Sequence, residues 1–219
     1  MKIITTMNRI VILLLLLFAG TSSTAQTPKT IALNPPDTNG GLPVMMALKL
    51  RASATKYDTA MLKLQDISDL LWAANGVNRP ATCKRTAPSA INAQDIDVYV
   101  VMKTGAYLYD APKHILTLVA EGDHRMACAG RQELDGTPPL FCLLVSDISK
   151  FSRGADSTRL VWAAEDAGIV SQNISLFCAS EGMSTRVRAT MDIMKLRDEL
   201  RLKNTQYPVL NHPVSYKKE

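Results

Sequence analysis

Ser157 to Gly182 reads STRLVWAAEDAGIVSQNISLFCASEG, and the rest of the chain has to be arranged around it. Its pattern is helical for 26 residues, roughly 39 Å at 1.5 Å per residue. Apolar positions occur almost all round it, so it lacks the wet face of a surface helix and belongs in a core or in a subunit interface. The flanking segments must therefore supply surfaces to cover it.

Upstream, Pro43 to Leu50 (PVMMALKL) reads as a first helix, with proline in the opening turn where a missing N–H costs nothing. Val44, Ala47 and Leu48 share one face, which should be the buried one. In LQDISDLLWAANG, Leu64, Ile67, Leu70, Leu71 and Ala74 recur at helical spacing, and Gly76 sits where helices commonly end. A loop through Pro80 and Pro88 leads to the apolar strand Ile96 to Met102. Tyr107 to Tyr109 and Ile115 to Val119 follow as a meander. Leu140 to Val145 is continuously apolar, which suits a central strand covered on both faces. Downstream, Asp192 can cap a helix through Leu200, and Tyr207 to Tyr216 is extended, broken by Pro208 and Pro213. Interleaved helices and strands give an α+β or α/β class. The hairpin-like spacing in the middle favours α+β, with a mixed or antiparallel sheet flanked by helices.

The N-terminus carries a different signal. Lys2 and Arg9 precede the apolar run Ile10 to Phe18, and Ser23-Thr24-Ala25 is a small-residue site, so residues 1–25 read as a secretory signal cleaved after Ala25. The run is about half of the 20 or so apolar residues needed to span a membrane. The expected location is exported and periplasmic, with no membrane attachment after cleavage. Thr27 to Gly41, rich in Pro, Gly, Asn and Thr, reads as an irregular arm (residues 26–41), leaving residues 42–219 as one domain. Removing Lys2 and Arg9 lowers the formal charge from +5 to +3. The basic residues are scattered, which argues against a nucleic-acid partner. Of four cysteines, Cys142 and Cys178 lie in apolar segments as small buried hydrophobes, whereas Cys83 and Cys128 lie in loop-like sequence and could pair.

No catalytic constellation stands out. There is no Gly-x-Ser-x-Gly elbow, no phosphate-binding glycine motif and no metal-ligand spacing; His114, His124 and His212 lie in unrelated contexts, and Asp123-His124 reads as a solvated loop. What remains is polar. Arg51 and Ser53 follow the first helix, where a guanidinium fork and a hydroxyl could hold a phosphate. RTAPSAINAQ (85–94) places Ser89, Asn92 and Gln94 before the first strand of the meander. Their amides and hydroxyl suit the edge of a flat heterocycle, and equally suit turn chemistry.

Taken in order, these segments resemble the nitroreductase-like flavoprotein family over nearly all of the chain after the signal. Arg51-Ala52-Ser53-Ala54-Thr55-Lys56-Tyr57 stands in place of the family's Arg-Arg-Ser-x-Arg-x-aromatic segment. RTAPSAINAQ is similar to its Pro-Ser-x-x-Asn-x-Gln segment. DAGIVSQNISLFCASEGM (166–183) looks like its long core helix. Within the family the chain most resembles the branch that holds thiazoline and oxazoline peptide dehydrogenases and small exported bacterial members.

The resemblance implies a homodimer with FMN at the subunit interface and contacts from both protomers, the long helix packing against the other subunit. It implies that Arg51 and Ser53 hold the phosphate and ribityl end, that Ser89, Asn92 and Gln94 address the ring or its tail, and that Arg188-Ala189 lies beside the reactive N5 through backbone groups. Lys218 would approach the phosphate. No side chain is then required as acid or base, and small-molecule donors and acceptors such as nitroaromatics and quinones exchange electrons with the flavin in turn. Ala52 and Thr55 depart from the basic residues usual at their places, and Ala189 from the usual Gly. Losing one Arg-to-phosphate contact costs about 1.5 to 3 kcal/mol, roughly ten- to a hundredfold in affinity; Lys56 could compensate. Two other readings stand beside this one: a non-enzymatic dimer in which FMN binding is weak or lost, and peptide azoline oxidation.

Overall fold

The computed structural model describes residue 27 and residues 29–218; the segment read as a secretory signal lies outside the described residues. A seven-stranded sheet organises the chain. Its strands are β1 (Thr30–Ala32), β4 (Ile96–Met102), β5 (Gly105–Asp110), β6 (Ile115–Glu121), β7 (Leu140–Asp147), β8 (Met183–Thr185) and β9 (Gln206–Tyr216), in the spatial order β1-β6-β5-β4-β7-β9-β8. Every neighbouring pair is antiparallel. A separate hairpin joins β2 (Val77–Arg79) to β3 (Lys84–Arg85).

Side chains alternate across a strand, and β4 and β7 use both faces. Val98, Val100, Met102, Leu140, Cys142 and Leu144 join one core cluster, while Tyr99, Val101, Phe141, Leu143 and Val145 join another. This accounts for the continuously apolar sequence of β7, all eight of whose residues are buried. Over the first face lie α1 (Val44–Leu50), α2 (Leu64–Asn75) and α4 (Asp156–Ser180); over the second lie the short helices α3 (Arg125–Ala129) and α5 (Ile193–Glu199). The molecule is α+β, as the sequence suggests. Helix α4 packs on α1, α2 and the sheet, burying Ala167, Val170, Ile174 and Cys178 against Leu70, Leu71 and Ala74 of α2. Each Val, Leu or Ile so buried stabilises the fold by about 1.5–3 kcal/mol. The opposite side of α4 is not covered: Val161, Ala164, Gly168 and Gln172 remain exposed at three- to four-residue spacing.

Several expectations need correction. The arm is not irregular throughout, because β1 pairs with β6 and Ile31 and Leu33 pack on the main core. The loop through Pro80 contains the β2–β3 hairpin. On α1 only Ala47 is buried; Val44 is 62% exposed and Leu48 46%. The helix touches α4 along a line only one small residue wide, so its remaining apolar side chains face outward. Cys128 is buried inside α3 rather than in a loop, Cys83 is exposed, and all four cysteines are free. Asp123-His124 is not simply solvated, since His124 Nδ1 lies 2.7 Å from Glu199 Oε2 and ties the start of α3 to α5. The cap predicted for the last helix is present: the Asp192 carboxylate accepts the Lys195 N–H at 3.0 Å. Among the described residues no helix is long and apolar enough to cross a membrane.

Candidate functional site

After α1 the chain from Arg51 to Tyr57 has no helical or ladder pattern of its own and is pinned from two sides and once to itself. The Ala54 N–H donates to Thr185 O at 2.9 Å, the Tyr57 N–H to Asp135 O at 2.8 Å, and the buried Tyr57 hydroxyl to Ala54 O at 3.2 Å. Gly136 makes this possible, because at φ 91 a Cβ there would lie 2.2 Å from Tyr57 O. The pinned segment forms one wall of a cleft of about 380 Å³. The end of α4 with Ser175 and Ala179 forms another, and Lys217 and Lys218 approach from the end of β9. Ser53 lines this cleft with Thr55, Lys56 and Thr185, whereas Arg51 is exposed at the end of α1 outside its lining. Hydroxyls and lysines converging on this cleft suit a phosphate, which hydroxyl and N–H donors can bond and ammonium groups neutralise. Lys218 Nζ also stands 3.1 Å from Asp135 Oδ1, but both groups are about half exposed, so the pair holds the lysine weakly.

Ser89, Asn92 and Gln94 occupy a different place, beside Asp166 and Val170 on α4. From Asp166 to Ala179 the helix rises about 20 Å. Two of the three are bound into the turn itself. Ser89 Oγ accepts the Gln94 N–H at 2.9 Å; Gln94 Oε1 accepts from Arg85 Nε at 3.0 Å, and its Nε2 donates to Cys83 O at 3.1 Å. The Asn92 side chain is exposed and makes no hydrogen bond among the described residues. Ile91, Asn92 and Gln94 have φ values of 48, 57 and 49, a left-handed region that side chains other than Gly, Asn and Asp rarely enter.

Arg188 lies between β8 and α5 with its guanidinium buried. It donates to Cys128 O (3.2 Å), Ala129 O (2.7 Å), Gln132 Oε1 (3.1 Å) and Asn211 Oδ1 (3.3 Å), closing the end of α3. Its backbone exchanges both hydrogen bonds with Asn211, at 2.9 and 2.7 Å. The next residue, Ala189, is exposed, and its N–H meets no backbone acceptor among the described residues. The structure thus gathers Ser53 and Lys218 at one cleft and Ser89, Asn92 and Gln94 at another place. Arg188-Ala189 forms a third group. Sequence reading missed Ser175, Thr185 and Lys217 in the cleft; only the Lys-Lys pair carried a legible signal. Among the described residues no group of three His, Cys, Asp or Glu side chains could hold a metal ion.

Fold and cleft together define an α+β domain with a phosphate-suited site at the end of its core helix. Residues 48–216 match the sequence profile of the nitroreductase family, and the chain belongs to that family. A crystal structure of a chain assigned as a nitroreductase from Ralstonia eutropha JMP134 is 34% identical, with a TM-score of 0.84 over 89% of this chain and 92% of that one. A protein of Methanocaldococcus jannaschii, also assigned as a nitroreductase, is 26% identical over 178 residues, covering 77% of this chain and 88% of the relative. A chain of the E. coli microcin synthetase McbBCD complex with truncated pro-MccB17 bound shares the fold, with a TM-score of 0.69 at 19% identity over 77% of this chain and 69% of that chain. The protein is an oxidoreductase enzyme of the nitroreductase type.

Proposed function

We propose that the protein is an FMN-dependent oxidoreductase that works as an exported homodimer. The observation that carries this reading is the cleft where Ser53, Lys217 and Lys218 meet the end of α4, since its donors suit the one charged group of FMN. Ser53 and the two lysines would hold the phosphate, and Lys56, also in the lining, takes the part left open by Ala52 and Thr55. Ala189, whose N–H follows the Arg188–Asn211 bridge, would meet the ring edge at N5. Asn92 is the free amide of the second group and would address the ring. Because that group stands about 20 Å from the cleft along α4, both can serve one flavin only if different protomers supply them.

Bound FMN supplies two-electron transfer between a donor and a nitroaromatic, quinone or related acceptor, a ping-pong scheme in which the flavin is the reacting centre. The chain's own residues bind and orient the cofactor, and none of them has to move a proton. Flavin absorbance that stays with the protein through gel filtration, or returns on titration with FMN, is the test. Asn92→Ala should weaken FMN binding about tenfold, the scale of one lost hydrogen bond, while His124→Ala should not. Thr55→Arg should tighten binding through a new phosphate contact. A protein that FMN cannot reconstitute would overturn the reading.

A further inference from the structure

Beneath the turn that carries Ser89, Asn92 and Gln94 lie two buried acids that make no ion pair among the described residues. Asp95, directly before β4, is fully buried; the Ser146 hydroxyl donates to its Oδ2, and its Oδ1 receives no donor among the described residues. Asp166 on α4 is 3% exposed, and its two carboxylate oxygens accept the Ala90 N–H at 3.0 and 2.9 Å. The two carboxyls are within hydrogen-bonding reach of one another. Two ionised carboxylates would repel and neither could donate. A proton on Asp95 makes it a donor to Asp166 and removes one buried charge.

No nearby charge does this instead. Asp147, at the end of β7, donates only its backbone N–H to Asp95 O at 3.0 Å, while its carboxylate takes Ser149. Asp97 on β4 pairs with Lys150 at 2.6 Å. Arg85 on β3 is spent on Gln94 and on Asn75 O. Asp166 in turn anchors a turn that needs anchoring. Ile91, a β-branched residue at φ 48, is 39% exposed and belongs to none of the core clusters.

We propose that Asp95 and Asp166 share one proton and act as the positioning pair for the Ser89–Gln94 turn, so that the hold on FMN loosens when rising pH removes that proton. This rests on the flavin reading above. Burial, and then the hydrogen bond to Asp166, push the Asp95 carboxyl up to about 7, which puts the change within the neutral range. Asp95→Asn supplies a permanent N–H donor to Asp166, and Asp166→Asn keeps an acceptor for Ala90 while removing the charge.

The experiment is FMN titration of the full chain from about pH 5.5 to about pH 8.5, run beside infrared detection of a protonated carboxyl and amide exchange of Ala90 to Gln94 in FMN-free protein. The wild-type dissociation constant should rise at least about fivefold across this range. Asp95→Asn should lose that dependence and the carboxyl band, Asp166→Asn should move both to lower pH, and Asp147→Asn should keep them unchanged. In the wild type, exchange protection relative to Asp95→Asn should fall as pH rises. If band and protection behave so but FMN binds at no pH, the pair stands and the flavin reading falls. A band that titrates in the ordinary carboxylate range, or an exchange ratio that stays constant with pH, would overturn the pair whether or not FMN binds.

Discussion

At the scale of single residues the clearest contrast is between two buried ionisable groups that titrate in opposite senses. His212 is fully buried between Ser171 Oγ, 2.7 Å from Nε2, and Thr185 Oγ1, 3.2 Å from Nδ1. Burial lowers its pKa to about 3, so the folded chain keeps it neutral where the unfolded chain protonates it, and its contribution to stability is lost as pH falls from 6.5 towards 3. Asp95 is raised instead. The folded chain keeps its proton where the unfolded chain releases it, so stability falls as pH rises from the usual carboxylate range towards 7. Between about pH 4.5 and pH 6 the two nearly cancel, since unfolding takes up one proton at the histidine and releases one at the aspartate. Asp95→Asn should leave His212 unopposed, so that stability relative to wild type rises with pH by about 1.4 kcal/mol per unit over that interval. His212→Asn should tilt the difference the other way. Urea unfolding at several pH values measures both, and parallel wild-type and variant curves would show that neither group is perturbed as the geometry requires.

At the scale of elements, the strand that sequence reading left out matters most. β1 is only three residues long, but it covers the edge of β6, and Ile31 and Leu33 close the main core there. Ile31→Asp should cost about 2 kcal/mol by removing a partly buried aliphatic group and placing a charge at its site. It should also expose the β6 edge, so the variant should aggregate on warming where the wild type stays monodisperse. A shift in the urea midpoint with light scattering checks this. β1 escaped notice because three residues among prolines and glycines cannot show a period. The same limit hid the β2–β3 hairpin, whereas α2, α4, β4 and β7 were legible because their patterns run for seven residues or more. Val44 and Leu48 were misplaced for a different reason: periodicity shows that a helix has an apolar face, but not whether that face meets its own chain. At the cleft, Ser53 stands in a segment that resembles a family pattern and Lys218 in a legible Lys-Lys pair after the last strand. Ser175 and Thr185 were not legible, because only the fold brings the end of α4 and β8 to the same cleft.

On the scale of the whole molecule those outward apolar faces and the divided site point the same way. Val44, Met45 and Leu50 on α1 and Val161 on α4 are each more than half exposed. Near Gly168 the outward side of α4 is open enough that an added Cβ would meet nothing within 4 Å. In the homodimer proposed above, these faces are the surface that the two protomers would cover. A two-fold dimer through it would bring the Ser53 cleft of one protomer towards the Asn92 turn of the other. That arrangement has a genetic signature. Ser53→Asp and Asn92→Asp chains should each form dimers whose two sites are both impaired. Unfolded together and refolded at equal concentration, half of the dimers are mixed, and each mixed dimer joins one wild-type cleft to one wild-type turn while its second site carries both lesions. Roughly a quarter of all sites should therefore recover wild-type FMN affinity, which a flavin titration resolves as a tight-binding fraction. If one chain supplied every contact, the mixture would bind no better than the two variants apart, and the interface would have to lie on another face.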